Sequence, residues 1–167
     1  MKLIRMSVFL ALGAAIVFAA CGGNDDDKSA ATSGSAALTA TFDLSTAHPS
    51  LPLTVKVPAG ATAKAISPGA EVKAGTDFQL EITTFKGDVP ATKKEIQARR
   101  ANVLKRFLVD NSSGIVYETA VDGKSEFHTY VAVAIGTGYS CEDIKGTVYT
   151  EAQAKTMYEA CKSIAAK

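Results

Sequence analysis

The chain has 167 residues and a formal net charge of +1, from 18 basic and 17 acidic side chains. A charge this close to zero lacks the strong positive field of a dedicated nucleic-acid-binding protein, so that class is excluded. Beyond the N-terminal region described next, about 130 residues remain, enough for one domain with a single hydrophobic core.

The first 21 residues, MKLIRMSVFLALGAAIVFAAC, have the layout of a secretory signal peptide. Lys2 and Arg5 supply positive charge, an apolar run follows over residues 6–20, and small residues precede Cys21. The apolar run is shorter than the roughly 20 residues that a transmembrane helix needs. We therefore predict that residues 1–20 are a cleaved signal peptide.

The residues before the cysteine, FAAC at 18–21, resemble the lipobox of bacterial lipoproteins. Phe18 departs from the leucine that lipoboxes prefer. The resemblance implies that the thiol of Cys21 receives a diacylglyceryl group, that the chain is cut before it, and that the new amine is acylated, for instance by palmitate. Attachment by more than one acyl chain is stable. Cleavage by the ordinary signal peptidase, without lipid, is the alternative.

Residues 22–37 are rich in Gly, Asp, Ser, Ala and Thr and show no apolar period, which predicts a flexible tether behind the lipidated Cys21. Gly22 stands where an aspartate signals inner-membrane retention in well-studied lipoproteins. The resemblance therefore implies an outer-membrane anchor facing the periplasm. The acidic run 25–27 resembles the export tag of some surface lipoproteins, or else is a solvated spacer.

Alternation of apolar and polar residues predicts strands at the start of the globular domain, which we place at residues 38–167. The alternation is present over residues 38–44 and 53–57 and is clearest over 78–83, with a short additional strand at 61–66. Ser-Pro-Gly at 67–69 and Lys-Ala-Gly at 73–75 predict turns.

A helix is predicted over residues 89–109. Thr92 and Glu95 fit a capping box, with Asp88 as a rival N-cap, and apolar residues recur at helical spacing from Ile96 to residue 108. The flanks of this helix carry Lys94, Arg99, Lys105 and Arg106. These cations are candidates for contact with an anionic envelope polymer. The alternative is a solvated outer face whose side-chain stems cover apolar surface.

The sequence of the second half of the domain predicts three more strands and a closing helix. Strands at 115–121 and 126–135 are joined by an Asp-Gly pair typical of a hairpin, and a last strand covers 139–144. A capping box of Thr150 and Gln153 begins a helix over 150–165. This order favours an α+β fold, with a mostly antiparallel sheet of about six to seven strands and two packed helices.

The segment LTVKVPAG at 53–60, followed by a helix, a hairpin and a closing helix that ends CKSI at 161–164, resembles the PsbP/DcrB-like fold. That group includes photosystem II extrinsic subunits and bacterial periplasmic lipoproteins. The resemblance spans roughly residues 50–166 and rests on element order, and Ala61 replaces the aromatic residue that often follows the Pro-x-Gly turn. It implies a scaffolding or binding role without common catalytic residues.

Cys141 and Cys161 remain once Cys21 carries lipid. Export delivers them to an oxidising compartment, so we predict a disulfide between them, worth ~3 kcal/mol in the chain-entropy model. Two buried free thiols are the alternative. A zinc site is not predicted, because zinc needs four nearby ligands and the chain has only His48 and His128 besides these cysteines.

Two segments of the sequence each depart from a catalytic or nucleotide-binding motif at one position. Cys141 stands where a nucleotide-binding Gly-x-Gly-x-x-Gly needs its third glycine, and Glu142 stands where a nucleophile elbow needs its last glycine. Glu142 and Asp143 are adjacent in a predicted strand, so we expect them on opposite faces and not as an acid/base pair. No catalytic residue, metal or cofactor is therefore predicted.

The sequence predicts a membrane-anchored envelope lipoprotein without enzymatic activity, acting as a binding or scaffolding module, in contact with the membrane through Cys21 and with an envelope protein as a candidate partner. One alternative is an envelope hydrolase with a dispersed site, which requires His128, Ser140 and Glu142 to converge within hydrogen-bond reach in one cleft. The other is a binder of anionic envelope polymers through residues 91–109.

Overall fold

Two antiparallel sheets and two α-helices make up residues 36–167, the part of the chain that the computed structural model describes. The predicted signal peptide, Cys21 and the tether up to residue 35 lie outside it. The elements, in chain order, are β1 (Leu38–Asp43), a 3-10 helix (Leu44–Thr46), β2 (Leu53–Pro58), β3 (Thr62–Ile66), β4 (Gly69–Ala74), β5 (Phe78–Thr83), α1 (Val89–Ala98), β6 (Val103–Asp110), β7 (Gly114–Val121), β8 (Lys124–Val133), β9 (Tyr139–Asp143), α2 (Glu151–Lys162) and β10 (Ala165–Ala166).

The main sheet has seven strands in the order β3-β4-β5-β9-β8-β7-β6, and every neighbouring pair in it is antiparallel. A second sheet holds three strands in the order β1-β2-β10. The predicted α+β class is therefore confirmed. The prediction of one sheet is wrong, because β1 and β2 pair with each other and with the C-terminal β10 instead of joining the main sheet.

The first helix is shorter than the sequence predicts. It ends at Ala98, and residues 103–110 form the edge strand β6. The register of β6 against β7 shifts twice, between Leu104 and Arg106 and between Phe107 and Val109. Such bulges break the two-residue alternation of a strand, and here they leave apolar residues at spacings of three and four that imitate a helix. Leu104 and Phe107 accordingly pack beneath α1, whereas Val109 packs into the opposite core.

The start of α1 differs from the first prediction as well. Asp88 is the N-cap, since its carboxylate accepts a hydrogen bond from the backbone N–H of Ala91 at 2.9 Å, and Pro90 lies in the first turn. The rival capping box of Thr92 and Glu95 is wrong. The second predicted box is confirmed, because the hydroxyl of Thr150 and the amide of Gln153 bond to each other's backbone N–H groups.

The two faces of the main sheet are covered differently. On one face, which we call the α2 face, β5, β8 and β9 pack with α2 and the small sheet in a continuous core; its largest fully buried members include Leu53, Phe78, Leu80, Tyr149 and Met157. On the other, the α1 face, a cluster of four buried residues lies between α1 and the sheet: Val89, Ile96, Ile115 and Tyr117. The smaller cluster leaves the rest of the α1 face to polar side chains.

The predicted disulfide is confirmed. Cys141 of β9 and Cys161 of α2 are bonded, with their Cα atoms 5.7 Å apart, and both are buried. The bridge fastens α2 to a central strand of the main sheet, next to the place where β9 ends at Asp143.

Candidate functional site

A cleft of about 490 Å³ opens on the α1 face where β9 ends beside β8. We call it the His128 cleft. Three parts of the chain line it: the end of α1 with the loop that follows, the strands β7 and β8, and the end of β9 with its loop. Its lining residues are Glu95, Arg99, Arg100, Ala101, Asn102, Tyr117, Glu126, His128, Glu142, Asp143, Lys145 and Gly146.

One wall of the cleft is set by strand register. The Asp-Gly hairpin pairs β7 with β8 so that Tyr117 lies opposite His128, and their ring centroids are 5.2 Å apart. Glu126 precedes His128 by two residues, so both side chains project from the same face of β8. Paired strands are rigid supports, which fixes these three side chains relative to one another.

Asp143 orients the imidazole of His128. Its Oδ2 lies 2.8 Å from Nδ1 of His128, and its Oδ1 accepts a hydrogen bond from the backbone N–H of Thr129 at 2.6 Å. A carboxylate accepts hydrogen bonds, so Nδ1 carries a proton, and in the neutral form of the ring Nε2 is an acceptor. Within residues 36–167 no hydrogen bond reaches Nε2, and the nearest carboxylate oxygen, Oε2 of Glu126, lies 3.9 Å away.

The prediction that Glu142 and Asp143 face away from each other is wrong, because both line the cleft. Asp143 is the last residue of β9, where the ladder with β8 stops. Its side chain therefore takes the place of a backbone acceptor for Thr129 and reaches His128 around the strand end. The alternation of side chains between the two faces of a strand does not apply to Asp143, because its side chain, and not its backbone, accepts the hydrogen bond from Thr129.

Glu142 sits in an unfavourable position for a charge. It lies directly opposite Glu81 of β5, and its nearest cation is Nζ of Lys145 at 3.9 Å. Burial raises the pKa of its carboxyl, and the carboxylates of Asp143 and Glu81 raise it further, against the influence of Lys145. Groups perturbed in this way are concentrated at functional sites.

The opposite wall carries cations from the end of α1. Arg99 is bonded to Glu95, with 2.8 Å between Nη2 and Oε1. Its guanidinium is also close enough to Tyr117 to oppose the rise in the pKa of that phenol, which burial and Asp143 bring about. Arg100 lines the same cleft as an exposed side chain, and within the described residues it forms no ion pair.

Of the three residues in the alternative hydrolase site, the structure brings two together. His128 and Glu142 both line the cleft, but Ser140 does not. Its hydroxyl is buried and lies 2.7 Å from the hydroxyl of Thr83. The partner of His128 is Asp143, which the sequence analysis considered only beside Glu142 and did not pair with a histidine.

The four predicted basic residues do not form one helical face. Lys94 is in α1 and Arg99 caps its end, whereas Lys105 and Arg106 are in β6. Both of the latter pair with Glu118, at 3.4 Å and 2.7 Å. The Ser125 hydroxyl together with Arg106 and Lys105 lowers the pKa of Glu118 to about 2. A continuous basic helix over 91–109 is therefore wrong, although contact of these residues with a polyanion stays a prediction.

Residues 36–167 also bear on metal binding and membrane insertion. They hold no group of three or more His, Cys, Asp or Glu side chains placed to bind a metal ion. Neither of their helices is long and apolar enough to cross a membrane.

No family model matches the chain, and no curated protein or solved structure is significantly similar to it. The resemblances to the lipobox and to the PsbP/DcrB-like fold therefore stay predictions.

Proposed function

We propose that this protein is a lipid-anchored envelope domain that binds a small polar ligand in the His128 cleft. The observation that carries the proposal is the arrangement of the imidazole: Nδ1 of His128 is hydrogen-bonded to Asp143, the ring lines the cleft, and Nε2 has no hydrogen-bond partner in the described part of the chain. A half-buried acceptor gains free energy when a ligand donates to it.

The form of the cleft supports binding. Its volume falls within the range of small-molecule sites. The polar groups on the wall around His128 come from β7, β8 and β9, which are held in place by ladder hydrogen bonds and by the large core behind them. A ligand therefore meets groups that are already ordered, which lowers the entropy cost of binding.

An acid–base enzyme is the second candidate function, and the pairing of Asp143 with His128 favours it. A carboxylate that fixes the tautomer of a histidine is the arrangement of a general base. Ser140 is not within reach as a nucleophile, so this candidate would act through a bound water. Turnover of the ligand that wild type binds, lost in His128→Gln, would favour the enzyme over the binding module.

The anchor is proposed from the sequence of residues 1–21, and Gly22 supports the outer membrane facing the periplasm as its place. The test is a mass measurement of the mature N-terminus after expression in the native host. We expect the chain to begin at Cys21 with diacylglycerol and an N-acyl group. A full-length chain in the cytosol, with residues 1–20 attached, would contradict the proposal.

Ligand binding is tested by nuclear magnetic resonance titration with a panel of small probes: amines, carboxylates, amino acids, monosaccharides and nucleosides. We expect saturable shifts around the cleft with at least one class, and about tenfold weaker binding by His128→Gln. His48→Gln is the matched control, since His48 lies in a loop outside the cleft, where its Nδ1 accepts from the backbone N–H of Ser50. If no class binds, or if His128→Gln binds as well as wild type, the proposal is wrong.

A further inference from the structure

The His128 cleft contains two opposite charges that do not neutralise each other. Arg100 and Glu126 both line it. Among the described residues, Arg100 forms no ion pair, and the only ionisable partner of Glu126 is the imidazole of His128, at 3.9 Å. Of the other cations of the cleft, Arg99 is bonded to Glu95 at 2.8 Å, and Lys145 is an exposed side chain whose Nζ lies 3.9 Å from the carboxylate of Glu142.

The wall around Glu126 attracts a cation. Its side chain is 18% exposed, so it has lost much of its hydration, and Nε2 of His128 and the carboxylate of Glu142 face the same space. All three groups accept hydrogen bonds when the imidazole is neutral. An ammonium group has three donors and a positive charge, which satisfies acceptors grouped in this way.

The side of the cleft at Arg100 attracts an anion. A guanidinium presents parallel N–H donors that match a carboxylate with two hydrogen bonds. Arg100 is exposed and unpaired in the described part of the chain, so binding a carboxylate does not require it to break an existing ion pair. A ligand carrying both charges therefore finds a partner for each.

We propose that the ligand of the His128 cleft is a zwitterion with an ammonium and a carboxylate group, the chemistry shared by free amino acids and short peptides. The ammonium group binds Glu126 and Nε2 of His128, and the carboxylate binds Arg100. This inference rests on the proposed function of the cleft as a ligand site. Pairing of each ligand charge with an opposite charge of the cleft gives specificity against molecules that carry only one of them.

The test is a series of zwitterions of increasing length, titrated into the purified mature protein and followed by backbone amide shifts. The probes are glycine, β-alanine, γ-aminobutyrate, δ-aminovalerate, diglycine and triglycine, with propylamine and propionate as probes that carry one charge. We expect one length to bind best, at least about tenfold more tightly than either single-charge probe. An optimum at an α-amino acid indicates free amino acids as the source, and an optimum at diglycine or triglycine indicates short peptides.

Two variants assign the charges. Arg100→Gln is expected to weaken the best zwitterion about tenfold and to leave propylamine unchanged, because the amine does not use Arg100. Glu126→Gln is expected to weaken the best zwitterion and propylamine, but not propionate. Lys124→Gln and Glu159→Gln are the matched controls: both residues are exposed and outside the cleft, on β8 and α2, and neither change should alter binding.

The inference is overturned if propylamine binds wild type as tightly as the best zwitterion, or if Arg100→Gln leaves zwitterion binding unchanged. In both cases the cleft is still a ligand site, so only the ligand class fails. The inference is also overturned if no zwitterion binds. The wider probe panel then decides whether the proposed function fails with it.

Discussion

The α2 face and the α1 face of the main sheet differ in how much apolar surface each buries. The α2 face carries a continuous core that includes α2 and the small sheet, and a disulfide fastens it. The α1 face has a cluster of four buried hydrophobic residues, two from one short helix and two from the sheet, and beside them lies a cleft with charged groups. We infer that the α2 face supplies most of the folding free energy. The α1 face can therefore hold half-buried charges, although these charges lower the stability of the fold.

Matched truncations of one helix residue on each face should produce the largest effects. Met157 of α2 and Ile96 of α1 are both fully buried. We expect Met157→Ala to cost about 3–5 kcal/mol in global unfolding free energy, and Ile96→Ala about 2–3 kcal/mol, because the smaller cluster can relax into the space. Denaturant titrations measure both.

Hydrogen exchange sharpens this comparison. Ile96→Ala should speed amide exchange in α1 more than in β8 and β9, since the loss is local to the α1 face. Equal acceleration throughout residues 36–167 would contradict the division of stability between the two faces.

Removal of the disulfide should come next in size. The double variant Cys141→Ser/Cys161→Ser is expected to lower the unfolding free energy by about 3 kcal/mol, because an open loop gains entropy in the unfolded chain. The resonances of the His128 cleft should be almost unchanged in the folded protein. If the variant folds but loses those resonances, the bridge also shapes the cleft, and the two faces are not independent.

Asp143→Asn tests the group at the boundary of the two faces. Asparagine can still accept from Thr129, but its amide places a donor or a weaker acceptor beside His128. We expect a loss of about 1–3 kcal/mol in unfolding free energy, and a changed tautomer balance of His128. Thr83→Val, which removes a buried hydroxyl bonded to Ser140 outside the cleft, should affect stability but leave the tautomer as it is.

Glu142→Gln should have the smallest effect and the opposite sign. The folded state raises the pKa of Glu142, so its ionisation costs stability as the pH rises from the ordinary glutamate range toward that raised value. The variant should therefore match wild type near pH 4 and exceed it at pH 7, by about 0.2–1 kcal/mol for a like charge removed from opposite Glu81. A variant less stable than wild type at pH 7 would show that Glu142 is stabilising.

Ligand titration of the same variant shows whether the unfavourable charge has a use. We expect Glu142→Gln to bind an amine probe more weakly than wild type, because it removes one of the acceptors facing the cleft. Unchanged binding would place Glu142 outside the site.

Local patterns in the sequence predict much of the fold and part of the cleft. The alternation over residues 78–83 matches β5. The two-residue Asp-Gly turn fixes the register of β7 against β8, which is sufficient to place Tyr117 opposite His128. Such features depend on neighbours in the chain, and a sequence displays them directly.

The features that could not be predicted from the sequence depend on contacts between distant parts of the chain. The bulges of β6 hide its alternation, and β10 exists only because β2 accepts it as a partner. Asp143 meets His128 because β9 ends there, which no spacing in the sequence indicates. Arg100 reaches the cleft only because α1 stops at Ala98 and the chain turns into β6.

The nitrogen spectrum of the imidazole of His128 tests the proposed function most directly. The chain has two histidines, so ¹⁵N-histidine labelling gives two rings, and His48→Gln assigns them. We predict that neutral His128 carries its proton on Nδ1, and that a ligand of the cleft moves the Nε2 resonance of His128 but not that of His48. A proton on Nε2 of the neutral ring, or an Nε2 resonance that no probe moves, would contradict the central claim that this nitrogen is an unpaired acceptor that binds a ligand.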